Sequence, residues 1–140
     1  MRTVSWILLA LVGLAILLGS LGSANFAYRT RQDSFANVTL DQLTAGQGRE
    51  VAQALLARRG TAAAYAAGFA ILFLFVVLVP YRRGEVWAWW AILAATLGLV
   101  ALTAARIPFL GTRSGVGTAW IMLAVVGVGL LLDIKRLWSS

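Results

Sequence analysis

The chain has 140 residues, enough for one domain. It is 61% hydrophobic and only 12% charged, with a net charge of +7, far from the half-apolar, quarter-charged usage of soluble domains. It contains no Cys and no His, which excludes disulfides, thiol chemistry, His-ligated haem, the common zinc sites and any Ser-His or Cys-His nucleophile pair.

Four segments carry no charged residue: 4–22, 61–80, 86–105 and 115–132. Each is close to the ~20 residues that span hydrocarbon as a helix. No run alternates apolar and polar residues as a membrane β-barrel strand does. The expected fold is therefore all-α, a four-helix transmembrane bundle in one membrane domain, with a helical extramembrane insertion in the polar connection 23–60.

The first span begins after Arg2 and ends in small residues (Gly19, Ser20, Gly22, Ser23 and Ala24). That pattern also fits a signal peptide, but the apolar region exceeds the ~7–15 residues of one, which favours a retained helix. In the connection that follows, Thr39 can cap a short helix with Gln42 three residues on, and Val38 and Leu43 have the spacing of a hydrophobic staple. Asn37 to Thr39 fits a glycosylation sequon, yet in a bacterial chain Thr39 serves better as the cap. Gly46 and Gly48 weaken the helix. A second apolar-faced piece, 49–59, lies on the membrane surface or runs on into the next span. Arg29, Arg31, Asp33, Arg49 and Glu50 read as a solvated, charged loop.

In the second span Gly60, Ala64 and Gly68 form a ridge of small residues, as do Ala15, Gly19 and Ser23 in the first and Ala94 and Gly98 in the third. Such ridges let helices approach closely in lipid, within the bundle or between copies. Tyr65, Thr96, Thr103 and Thr118 are the notable polar side chains of the last three spans and should bond to backbone or to neighbouring helices. The connection 106–114 holds Pro108 and Gly111, both poor helix residues, and reads as a loop. Asp133 follows the fourth span and is expected in a solvated terminus with Lys135 and Arg136.

The turn 81–85 between the second and third spans is the most distinctive feature. Arg82 and Arg83 can meet lipid phosphates, Gly84 permits a sharp turn, and Glu85 opens the third helix, where a negative charge suits the helix dipole. Trp87, Trp89 and Trp90 follow, three of the six tryptophans in four residues, and tryptophan favours the membrane interface. Helical spacing puts Trp87 and Trp90 near one face and Trp89 well around from both. Arg82, Arg83, Glu85, Trp87, Trp89 and Trp90 are thus the candidate contacts for a headgroup or partner. No residue is assigned a catalytic, cofactor-binding or metal-binding role.

The segment Arg58-Arg59-Gly60-Thr61, the span after it, and Pro80-Tyr81-Arg82-Arg83-Gly84-Glu85-Val86-Trp87-Ala88-Trp89-Trp90 together resemble small bacterial four-helix membrane proteins, broadly the DoxX-like group. The resemblance covers the second span and the start of the third. It implies a four-helix bundle, and some of that group are linked to quinone-dependent oxidation.

Four spans put both termini and the 81–85 turn on one side, with Arg2, Arg82, Arg83, Lys135 and Arg136 in short segments. The other side carries Arg29, Arg31, Arg49, Arg58, Arg59, Arg106 and Arg113 over longer ones. Charge density near the span ends places the termini in the cytoplasm. Arg over Lys and abundant Ala fit a GC-rich bacterial genome, hence the bacterial cytoplasmic membrane. The leading expectation is a non-enzymatic integral membrane protein without cofactor. Its partners would be membrane lipids, a second copy or another membrane protein, and not nucleic acid. A small-molecule carrier or channel and a quinone-associated oxidoreductase subunit are the alternatives.

Overall fold

A computed structural model describes residues 2–30, 34–35, 38–110 and 116–138. Among these residues the fold is all-α apart from one two-residue antiparallel contact, with Ser34 opposite Thr39 and Phe35 opposite Val38. The helices are α1 (Arg2–Asn25), α2 (Leu40–Thr44), α3 (Arg49–Val76), α4 (Val86–Ala104), α5 (Arg106–Leu110) and α6 (Val116–Trp138). Single π-helical turns extend α1 over Phe26–Thr30 and α3 over Val77–Tyr81. Four of these stretches are long and apolar enough to cross a membrane: Val4–Arg29, Arg49–Tyr81, Val86–Phe109 and Val116–Ile134.

The charge-free runs locate these helices but not their ends. The connection 23–60 is helical at both ends, and the piece from Arg49 runs on into the second span as one helix. Arg, Glu, Gln, Ala and Leu are all good helix formers, so a change of polarity there is no change of conformation. Arg106–Leu110, expected as loop, is helical. Pro108 is its third residue, where a missing backbone N–H costs nothing because the first turn has no intrahelical acceptor for it. The expected cap of α2 forms in full: Thr39 Oγ1 accepts from the Gln42 N–H, and Gln42 Oε1 accepts from the Thr39 N–H. Gly46, at φ 81°, then turns the chain toward α3. Arg31, Asp33, Asn37, Gly111 and Arg113 lie outside the described residues, as does the side chain of Val38, so the staple and the sequon do too.

The chain forms two compact units. The first comprises Met1–Leu14 and Leu72–Ser140, the second Ala15–Ile71. In the first unit α4 packs chiefly on α6. Ala88, Trp89, Ile92, Thr96 and Val100 recur every three or four residues along the buried side of α4. Val126 and Leu130 of α6, Leu9 of α1 and Phe73 and Val77 at the end of α3 are also buried in this unit. Glycine lets α1 come close to both neighbours. A Cβ at Gly13 would lie 2.8 Å from Leu74, and one at Gly129 would lie 3.0 Å from Leu9.

In the second unit, Tyr28 lies across Gly60, where a Cβ would collide with its phenol. Arg59 Nε donates to Ser23 Oγ at 3.1 Å, and its guanidinium stands 5.5 Å from the Phe26 ring centroid. Of the four ridge glycines, one is packed within the chain. Gly19, Gly68 and Gly98 have open space where a Cβ would go; only Gly60 is covered.

Candidate functional site

The site is built from the end of α3 outward. Pro80 has no N–H to give, and the Val77–Tyr81 segment meets this with a π turn. The backbone N–H of Arg82 then reaches the carbonyls of Val77 and Val79. The helix stops at Gly84, at φ 91°. The Gly84 N–H donates to the Tyr81 carbonyl at 3.0 Å, and the Glu85 N–H to the Pro80 carbonyl at 3.1 Å. These are the two bonds of a Schellman motif, with glycine at the left-handed position it requires. Glu85 is the extended N-cap of α4, and its carboxylate accepts from Trp87 Nε1 rather than from the backbone.

The turn sorts the candidate residues. Arg82 and Arg83 are exposed. Arg82 stacks its guanidinium over the Trp6 ring, 5.0 Å from the centroid, a contact worth about 0.5–1 kcal/mol at an exposed position. Trp87 and Trp90 are 56% and 53% exposed, whereas Trp89 is only 8% exposed and donates its Nε1–H to the Leu130 carbonyl at 3.1 Å. Trp89 and Trp90 still touch edge to face, with centroids 4.9 Å apart. So one indole anchors α4 to α6 and two remain at the surface. Arg82 and Arg83 share a cavity of about 520 Å³ with Leu78 and Val79, two cations beside two aliphatic side chains.

Beneath the turn lies a polar node absent from the sequence-based reading. Ser5 Oγ donates to the Gly129 carbonyl at 2.7 Å and lies 2.7 Å from Tyr81 Oη, and both side chains are wholly buried. It joins α1, α3 and α6 under Arg82. Asp133, one turn beyond Gly129 on α6, is a correction: expected in a solvated terminus, it is 2% exposed. α6 continues past it to Trp138, so the acid lies within the helix, on its inward side. Thr96 and Thr103 do bond backbone, each to the carbonyl four residues earlier on α4, while Tyr65 and Thr118 are exposed.

Trp6, Leu78, Val79 and Ser5 join the site without having been singled out. The usable signal was topological: two long helices in succession bring the chain back, so that Trp6 lies beside Arg82. Among the described residues no cluster of three acids could hold a metal ion. No family model, no curated protein sequence and no solved structure matches the chain.

Proposed function

We propose that the chain is an integral membrane protein that crosses the bilayer four times, and that its α3–α4 turn binds anionic lipid headgroups without catalysing a reaction. The observation that carries this reading is the cleft of Leu78, Val79, Arg82 and Arg83. Two guanidinium groups suit a phosphate, and the adjoining aliphatic side chains suit the first carbons of the acyl chains. Trp6, Trp87 and Trp90 around it have the apolar body and polar N–H that favour this depth. Large apolar side chains exposed along the helices, among them Leu18, Phe75, Leu102 and Ile121, support immersion in lipid, since water would penalise such a surface. The turn and both termini face the cytoplasm of a bacterial cell, where the inner leaflet is anionic and attracts such residues.

The test is titration of lipid into nanodisc-embedded protein. Each basic residue near an anionic surface contributes about 1 kcal/mol, so an Arg82→Gln/Arg83→Gln variant should bind phosphatidylglycerol roughly tenfold or more weakly. The difference should shrink at high salt. Arg58→Gln serves as the comparison. If the double variant keeps the lipid preference of the parent, the turn is only an anchor.

A further inference from the structure

The second unit holds a larger cavity of about 590 Å³ between the π turn after α1, the short helix α2 and the first turns of α3. That volume lies within the range of small-molecule sites. Its lining is divided by chemistry. Leu40 and Leu56 provide an apolar floor, Leu40 itself being buried. Asp41 from α2 and Arg49 from α3 supply one negative and one positive charge at the rim. Tyr28 and Gln53 add neutral hydrogen-bonding groups. Tyr28 is positioned by Gly60, whose missing side chain leaves room for the phenol. Among the described residues, Asp41 and Arg49 form no ion pair with each other, and both line this one cavity.

A purely anionic ligand would be repelled by Asp41, and a cation by Arg49. We propose that this cleft binds a small zwitterion, an ammonium against Asp41 and a phosphate or carboxylate against Arg49, with its carbon stem on the Leu40–Leu56 floor. The chemistry is shared by a phosphatidylethanolamine headgroup and by a free amino-phosphate. Depth bears on which source it is. Leu56 lies five residues before Thr61, where the charge-free run starts, or about 7.5 Å along the helix; Arg49 lies about 18 Å out. The headgroup layer occupies roughly 5–8 Å beyond the hydrocarbon on each side. The floor is thus at headgroup level, whereas Arg49 stands above that layer in water, which suits a free amino-phosphate better than a lipid held in the bilayer. This depth rests on the membrane-spanning reading, whereas the pairing of opposite charges does not.

The experiment uses the full chain and a panel of probes: O-phosphoethanolamine, inorganic phosphate and ethanolamine by calorimetry in detergent, and phosphatidylethanolamine in nanodiscs by native mass spectrometry. O-phosphoethanolamine, free or as the lipid headgroup, should bind at least tenfold more tightly than phosphate or ethanolamine alone. Binding of the free compound marks a soluble source, and binding of the lipid only marks a membrane source. Arg49→Gln and Asp41→Asn, both at exposed positions, should each weaken the zwitterion about tenfold. Arg82→Gln/Arg83→Gln should leave it unchanged, which separates this site from the one at the α3–α4 turn. Equal binding of phosphate and O-phosphoethanolamine by the unmodified chain would overturn the proposal, as would an Asp41→Asn variant that binds the zwitterion as well as the parent. The probe comparison needs no variant, so it stands even where a substitution harms folding.

Discussion

The node of Ser5, Tyr81 and the Gly129 carbonyl yields an ordered set of stabilities. A serine hydroxyl has one hydrogen. Ser5 gives it to Gly129 at 2.7 Å, so the 2.7 Å contact with Tyr81 must be Tyr81 donating to Ser5 Oγ. Tyr81→Phe removes that donor, leaves the Ser5–Gly129 bond intact and opens almost no cavity. Its cost should be about 0.6–1 kcal/mol, the size of an ordinary hydrogen bond between membrane helices. Ser5→Ala removes two bonds of the node at once, its own to the Gly129 carbonyl and the one it accepts from Tyr81, and should cost about 1–3 kcal/mol. The Ser5–Tyr81 bond is lost in either single variant, so the double variant should cost less than the sum of the two. Equilibrium unfolding in mixed micelles with rising dodecyl sulfate, followed by circular dichroism, gives all four stabilities. Costs that simply add in the double variant would refute the reasoning, because they would mean that Ser5 and Tyr81 share no bond.

Two other expectations follow from the fold. Gly13→Ala forces a Cβ against Leu74 and should destabilise by about 1 kcal/mol net, overpacking outweighing the better helix propensity; Gly68→Ala enters open space and should stabilise by about 0.5–1 kcal/mol. The same titration measures both, and equal effects would mean that α1 and α3 do not approach closely at Gly13. For topology, reporter fusions after Arg83 and after Ser140 should read cytoplasmic and one after Gln47 external, and the purified chain should start at or next to Met1. Reversed signals would invert the orientation, and a start near Asn25 would mean a cleaved first segment.

The helices were legible because twenty uncharged residues leave few alternatives. The α2 cap was legible because Thr39 and Gln42 recognise each other across three residues, a purely local matter. The start of α3 at Arg49 was legible too, after Gly46 and Gly48; what was not is that the piece 49–59 runs on into the next apolar stretch, since a helix whose surroundings change alters its surface and not its backbone. Asp133 shows a further limit. Linear order puts it next to Lys135 and Arg136, but a helix turns about 100° per residue, so adjacent charges face different surroundings. The split among the tryptophans was readable from that same rotation. What rotation alone could not supply was the neighbour: which helix offers Trp89 a carbonyl, or that Ser5 meets Tyr81 across 76 positions, depends on packing between distant segments.

The acceptor at the centre of the buried node is a main-chain carbonyl, and that has a consequence for inheritance. No point mutation can delete the Gly129 oxygen, because every amino acid carries one. Mutation can act at position 129 only through bulk, against Leu9 at 3.0 Å. At positions 5 and 81 it acts through the hydroxyls, which can be lost singly or together. Drift should therefore hold position 129 to the smallest residue while positions 5 and 81 change as a pair, hydroxyl with hydroxyl or apolar with apolar. Descendants of this chain would then record two kinds of constraint a few ångströms apart, one on space and one on matched chemistry.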